Sequence, residues 1–111
     1  MILIKNVKIL GENKIKNILI ANEKIEKIFE GDCDYPFDEI YDGGGKTLIP
    51  GLIDQHIHIT GGGGEGGFET RVPEISLSKL IEAGITTVVG LLGTDSETRS
   101  VENLVAKSLA L

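Results

Sequence analysis

The chain has 111 residues and a formal net charge of −6 at pH 7, with 25% charged and 41% hydrophobic residues. Its lysines are scattered among acidic residues, which argues against a phosphate-binding surface of the kind that nucleic acids require. No uninterrupted apolar run approaches the roughly 20 residues needed to cross a bilayer, and no charged region followed by an apolar stretch opens the chain. These features predict a cytoplasmic protein.

The first half of the chain alternates isoleucine- and lysine-rich segments with turn sequences. Strands are predicted over residues 2–9, 15–21, 25–29 and 39–41. They predict a small β-sheet domain over residues 1–46, and a free-standing β-sheet module is the alternative. The single cysteine, Cys33, lies among acidic residues in a loop and cannot form an internal disulfide, so it is interpreted as a spectator thiol.

The second half of the chain predicts the order β-α-β-α. A strand through His58 leads into residues 60–72, a segment that we call the glycine loop. A helix is predicted from residue 73 or 74 to Ala83, with Gly84 at the C′ position. Residues 85–92 are β-branched and almost continuously apolar, as in a parallel strand covered on both faces. A last helix is predicted to start near Ser100, with apolar residues along one face.

Two histidines, His56 and His58, are the only ones in the chain and lie two residues apart near the end of an apolar run. Side chains alternate between the faces of a strand, so both imidazoles and Asp54 are expected on one face. Neutral imidazole is a preferred zinc ligand, and a catalytic zinc site needs about three protein ligands and an open position. The pair therefore predicts half of a metal site; a polar patch or two histidines bonded to backbone are the alternatives.

The glycine loop carries six glycines and one acid between residues 61 and 67. A glycine in ordered structure costs roughly 0.5–1 kcal/mol relative to alanine, so some close backbone approach is expected to require them. Gly61, Gly63 and Gly66 also fit the dinucleotide pattern G-x-G-x-x-G. That pattern needs the glycines to open a helix directly, whereas residues 68–72 intervene here, so a nucleotide site is disfavoured.

Residues 50–58 resemble the first-strand signature of the amidohydrolase superfamily, which comprises metal-dependent hydrolases built on a (β/α)8 barrel. The glycine run ending in Glu65, residues 70–74 and residues 82–96 resemble the isoaspartyl dipeptidase (β-aspartyl peptidase) family more closely. The resemblance implies an α/β fold: a small N-terminal β-sheet domain, followed by the first β-α-β-α units of a truncated barrel. A whole barrel needs about 250 residues. Both domains, residues 1–46 and 47–111, are therefore expected to be incomplete parts of an N-terminal fragment.

The resemblance also implies an activity, the hydrolysis of β-aspartyl dipeptides by a metal-bound hydroxide. His56 and His58 would bind zinc in a two-metal centre whose carboxylated lysine, two further histidines and aspartate belong to later strands. Because those residues are not in this chain, no catalytic residue beyond the metal ligands is predicted, and the isolated fragment is expected to be inactive.

The same family pattern implies how a dipeptide substrate is recognised. Glu65 would hold the free α-amino group of the substrate, Gly63 and Gly64 would supply backbone contacts, and Thr94 would be a further substrate contact. Arg71 and Asp95 could take part or could simply order a loop. The whole protein is expected to form a homo-oligomer, with no nucleic-acid or membrane partner.

Two other functions stay open at this point. A cyclic-amide hydrolase such as a dihydroorotase or a hydantoinase would share the strand signature, although it has no reason to keep a glycine run ending in Glu65. A noncatalytic folding or interaction module is the other alternative.

Overall fold

The computed structural model describes all 111 residues, which form two compact units, Met1–Pro50 and Gly51–Leu111. Strands outnumber helices, and both α-helices belong to the second unit. The division falls four residues after the predicted boundary at residue 46, because Thr47–Leu48 pairs with the first strand of the chain. That each unit is part of a larger domain stays a prediction.

The first unit is a five-stranded sheet. Its strands are β1 (Ile2–Ile9), β2 (Ile15–Ala21), β3 (Lys24–Phe29), β4 (Glu39–Asp42) and β5 (Thr47–Leu48). β2 pairs antiparallel with β1 and with β3, whereas β4 and β5 pair in parallel with β1. The buried apolar side chains are Leu3, Val7, Ile18 and Leu19. The four predicted strands are confirmed to within one residue at each end, and only the two-residue β5 lies outside the prediction.

The second unit follows the predicted β-α-β-α order. Its elements are β6 (Leu52–Ile57), α1 (Leu77–Glu82), β7 (Ile85–Gly90) and α2 (Val101–Ala110), with one turn of 3₁₀ helix at Phe68–Thr70. β6 and β7 are parallel neighbours joined through α1, as in a β-α-β unit. No helix in the chain combines the length and apolarity that a membrane span requires.

The end of β7 packs closely against the segment after β6 and against α2. Ile59 and Leu80 are buried. A Cβ added to Gly90 would lie 2.8 Å from the Ile59 side chain and 3.1 Å from that of Leu104 in α2. Glycine at this position therefore allows α2 and the segment after β6 to approach the strand end closely.

The predicted strand through His58 is too long, since β6 ends at Ile57. Pairing with β7 becomes irregular between Asp54 and Ile57, and one Asp54 carboxylate oxygen accepts the backbone N–H of His56 at 3.0 Å. The chain then turns, because the Gly61 N–H donates to the His58 carbonyl at 2.9 Å. His58 is therefore the first residue of a turn rather than part of the strand.

The helices of the structure match the predicted ones except at the start of α1. α1 begins at Leu77, not at residue 73 or 74, because the Ile75 N–H donates to the Ile59 carbonyl at 3.3 Å rather than to a helical partner. Gly84 has φ 73° directly after the helix, which confirms the predicted C′ glycine. α2 begins at Val101, and the Ser100 hydroxyl caps it by accepting the Asn103 N–H at 3.2 Å. β7 ends at Gly90, two residues before the predicted end.

Candidate metal and substrate site

The two histidines lie at the carboxyl end of β6, as predicted, with their ring centroids 5.4 Å apart and their planes almost perpendicular. His58 Nδ1 is 3.2 Å from the carbonyl oxygen of Leu91, just beyond β7. A carbonyl can only accept, so Nδ1 must carry the proton in this hydrogen bond. That tautomer leaves the Nε2 lone pair of His58 free to bind a metal.

Glycines surround the His58 side chain. A Cβ added to Gly93 would lie 3.6 Å from His58 Nδ1, and one added to Gly62 would lie 3.8 Å from its Cδ2 atom. The segment after β7 and the start of the glycine loop thus both lie against the His58 ring. This packing restricts the orientation of the ring, which favours ligation because little freedom is left to lose.

The two histidines are of the residue type that zinc prefers, and their rings lie close together. The Leu91 carbonyl accepts from His58 Nδ1 and so orients that ring. No group of three or more His, Cys, Asp or Glu side chains is arranged to hold a metal ion. His56 and His58 are the residues that would hold the metal, and their role as ligands stays a prediction.

The glycine loop folds back on itself, and this explains why it needs glycine. Its two ends pair through a bridge between Gly63 and Arg71, and the Val72 N–H donates to the Gly62 carbonyl at 2.8 Å. A Cβ added to Gly63 would lie 2.5 Å from the Thr70 carbonyl oxygen, and one added to Gly61 would collide with that of Val72. The close approach predicted from the sequence is therefore confirmed, and it is made by the loop's own returning segment.

Arg99 closes the base of this loop, and sequence reasoning did not identify it. Arg99 is buried, with 5% of the residue exposed, and its Nε donates to the Thr60 carbonyl at 2.9 Å. One terminal nitrogen donates to the Val72 carbonyl at 3.0 Å, and the other reaches the Gly63 carbonyl at 3.5 Å. No sequence signal could have marked this residue, because its partners are carbonyl oxygens, which every residue carries.

Asp95 pairs through its carboxylate with two arginines, Arg71 and Arg99. Its carboxylate is 3.1 Å from Arg71 Nε and 3.7 Å from a terminal nitrogen of Arg99, and only 4% of its side chain is exposed. The hydroxyl and backbone N–H of Thr98 are the main causes that lower the pKa of Asp95, and the Glu97 N–H and the Arg71 charge add to them. Asp95 and Arg71 therefore order the loop, which is one of the two roles that the sequence predicts for them.

The predicted substrate residues Glu65 and Thr94 come together. The pKa of Glu65 is lowered from its ordinary value of 4.5, first by its own backbone N–H and next by the Thr94 side chain. A surface cavity of about 290 Å³ is lined by Gly64, Thr94 and Asp95, together with Gly67, Phe68, Ser96 and Glu97. Its volume is near the lower end of the range for small-ligand sites. Contacts of this cavity with a substrate stay a prediction.

Comparisons with known proteins first define a class. No profile of a known protein family matches the chain. The imidazolonepropionase of Fusobacterium nucleatum is 32% identical over 94% of this chain and 25% of its own length, and the dihydroorotase of Clostridioides difficile is 29% identical over 86% of this chain and 23% of its own. The chain is homologous to the N-terminal region of amidohydrolase-superfamily enzymes, as the sequence signature predicts.

Within that class the similarity to one kind of enzyme is much higher. A crystal structure of β-aspartyl dipeptidase from Fervidobacterium islandicum AW-1, in complex with the dipeptide β-Asp-Leu, matches 99% of this chain at 50% identity with a TM-score of 0.84. The predicted resemblance to this family is confirmed. The chain spans 30% of the length of that protein and about a quarter of the length of the curated relatives above.

Proposed function

We propose that this chain is part of a metal-dependent hydrolase of β-aspartyl dipeptides, and that Gly51–Leu111 begins its (β/α)8 barrel. The observation that carries the proposal is that the His58 ring lies against Gly62 and Gly93, which lead to Glu65 and Thr94, in a chain 50% identical to an enzyme whose structure holds β-Asp-Leu. This geometry joins the predicted substrate contacts to the predicted metal ligands. It supports one continuous site rather than two unrelated features.

Each side chain has a distinct part in the proposal. The Glu65 carboxylate, whose pKa lies below its ordinary value of 4.5, is charged at neutral pH and can bind the α-ammonium group of the dipeptide through a charge-assisted hydrogen bond. The Thr94 side chain, which helps to lower that pKa, would restrain the carboxylate through a hydrogen bond. His56 and His58 would hold zinc, which when bound would supply the positive charge that polarises the scissile carbonyl.

The test is the variant Glu65→Gln in the complete gene product. The amide keeps the shape of the side chain but removes its charge, so kcat/KM for β-Asp-Leu should fall about tenfold or more while zinc content stays unchanged. Glu69→Gln, which changes an exposed acid of the same loop, is the matched control and should behave as the wild type. His56→Ala should instead lower zinc content and activity together, because it deletes a ligand.

Equal kcat/KM for the wild type and Glu65→Gln would contradict the assignment of Glu65. A wild-type protein that hydrolyses dihydroorotate or a hydantoin but no β-aspartyl dipeptide would place the chain among the cyclic-amide hydrolases instead. A protein that hydrolyses none of these compounds would favour the noncatalytic alternative.

A further inference from the structure

Arg99 joins three points of the glycine loop that are far apart in the sequence. The carbonyl groups that it binds belong to Thr60 and Gly63 on the outgoing side of the loop and to Val72 at its returning end. All three are backbone groups, so the contacts report the path of the main chain rather than the identity of the side chains. The guanidinium therefore fixes the path that the loop takes.

Arg99 is itself held in one orientation. Its Nη1 atom lies 3.7 Å from the Asp95 carboxylate, which also accepts the Thr98 hydroxyl and lies 3.1 Å from Arg71 Nε. The side chain of Asp95 also packs on the loop, since a Cβ added to Gly64 would lie 3.4 Å from the Asp95 Cβ. Asp95 directly follows Thr94, so one cluster ties the loop to the segment that carries the second proposed substrate contact.

The cluster reaches the loop beside Glu65. Gly63, two residues before Glu65, accepts from Arg99, and Gly64, directly before Glu65, lies against the Asp95 side chain. We infer that Arg99 is a positioning residue that sets the place of the Glu65 carboxylate relative to Thr94 and His58 by holding the glycine loop closed. This inference rests on the proposed function. A planar guanidinium suits the task because its donors form a rigid fork, whereas a lysine ammonium can reach fewer of the carbonyls at once.

The decisive experiment combines Arg99→Lys with Glu65→Gln in the complete gene product loaded with zinc. If Arg99 acts through Glu65, Arg99→Lys should raise KM for β-Asp-Leu about tenfold, with a much smaller change in kcat. In the Glu65→Gln background the same substitution should change kcat/KM by less than about twofold, because the contact that it misplaces is already lost. Lys79→Arg, on the exposed face of α1, is the matched control for an exchange of cationic side chains and should change neither constant.

Amide hydrogen exchange supplies a readout that does not depend on turnover. Arg99→Lys should speed exchange of the Val72 N–H, which closes the loop on Gly62, while leaving the amides of α2 near their wild-type rates. If Arg99→Lys does not fold, Asp95→Asn replaces it, since it keeps the three carbonyl contacts of Arg99 and removes the negative charge that pairs with Arg99 and Arg71. That variant should move KM and loop exchange in the same direction by a smaller factor.

The outcomes separate the inference from the proposed function. A wild-type protein without activity on β-Asp-Leu overturns the proposed function, and the inference falls with it. With an active wild type, equal losses from Arg99→Lys in the two Glu65 backgrounds overturn the inference alone, because they indicate an effect that does not pass through Glu65. Unchanged loop exchange in an Arg99→Lys protein of altered KM overturns it as well.

Discussion

Asp95 illustrates how one side chain can serve several parts of the backbone. Its carboxylate accepts the N–H groups of Glu97 and Thr98 at 3.1 and 3.0 Å, in addition to the Thr98 hydroxyl. These bonds form a turn directly before the N-terminus of α2. Because the same carboxylate pairs with Arg71, the turn before α2 and the returning end of the glycine loop are held by a single charged group.

This arrangement predicts a particular dependence of stability on pH. The donors around Asp95, led by Thr98, lower its pKa in the folded protein below the ordinary value of 3.8. A lowered folded-state pKa contributes stability that is present above the unfolded-state pKa and is lost as pH falls through the folded-state value. The thermal midpoint of the wild type should therefore fall more steeply below pH 4 than that of Asp95→Asn, measured by circular dichroism. Parallel profiles would contradict this, and Asp32→Asn, for which no such donors exist, is the control.

Single residues differ in how far sequence can reveal them. His56 and His58 are conspicuous, because few side chains bind metals and strand periodicity predicts that they lie together. Glu65 is conspicuous through the glycines around it. Arg99 is not, because its function depends on carbonyl groups that are brought together only when the loop closes. Tertiary hydrogen bonds to backbone leave no pattern in the sequence.

Two neighbouring glycines of the glycine loop, Gly61 and Gly62, differ in backbone conformation and in surroundings. Gly61 has φ 92° and Gly62 does not have a positive φ, although the two residues are neighbours. A side chain at Gly61 would collide with the Val72 carbonyl, whereas the nearest atom to a Cβ at Gly62 is 3.8 Å away. Left-handed backbone alone costs a residue with a Cβ about 1–2 kcal/mol.

Gly61→Ala should therefore destabilise the loop, and Gly62→Ala should be tolerated. The expected difference is at least about 1–2 kcal/mol in the free energy that opens the loop, measured as faster amide exchange at Val72. The matched substitution at Gly62 controls for the loss of glycine flexibility as such. Equal exchange in the two variants would mean that the loop does not depend on the close approach between Gly61 and Val72.

Secondary structure in the first unit follows from local pattern, and its boundaries are predicted well. In the second unit the errors lie where tertiary contacts replace local ones. β6 stops early because Asp54 binds the backbone of His56 and pairing with β7 becomes irregular. α1 starts late because Ile75 bonds back to Ile59. Neither contact can be read from periodicity, which treats each element in isolation.

The second unit as a whole leaves much of its sheet uncovered. β6 and β7 pair only with each other, so each has one edge without a backbone partner. Leu52, Ile53 and Val89 on these strands are exposed, and so are Val101, Val105 and Leu109 on α2. A two-stranded parallel sheet is rarely stable alone, because such sheets normally need neighbouring strands and covered faces. Unpaired edges and apolar surface together favour association between copies.

The 111-residue chain on its own should therefore self-associate in solution. Light scattering coupled to size exclusion should give a mass above 11.9 kDa that rises with protein concentration. Ile53→Lys should reduce the association, because a charge on the exposed face of an edge strand opposes pairing between chains. Tyr35→Lys is the matched control, since Tyr35 is 59% exposed against 62% for Ile53 but lies in a loop of the first unit. A monodisperse monomer that melts cooperatively would contradict the prediction, because it would mean that Gly51–Leu111 is stable without further strands.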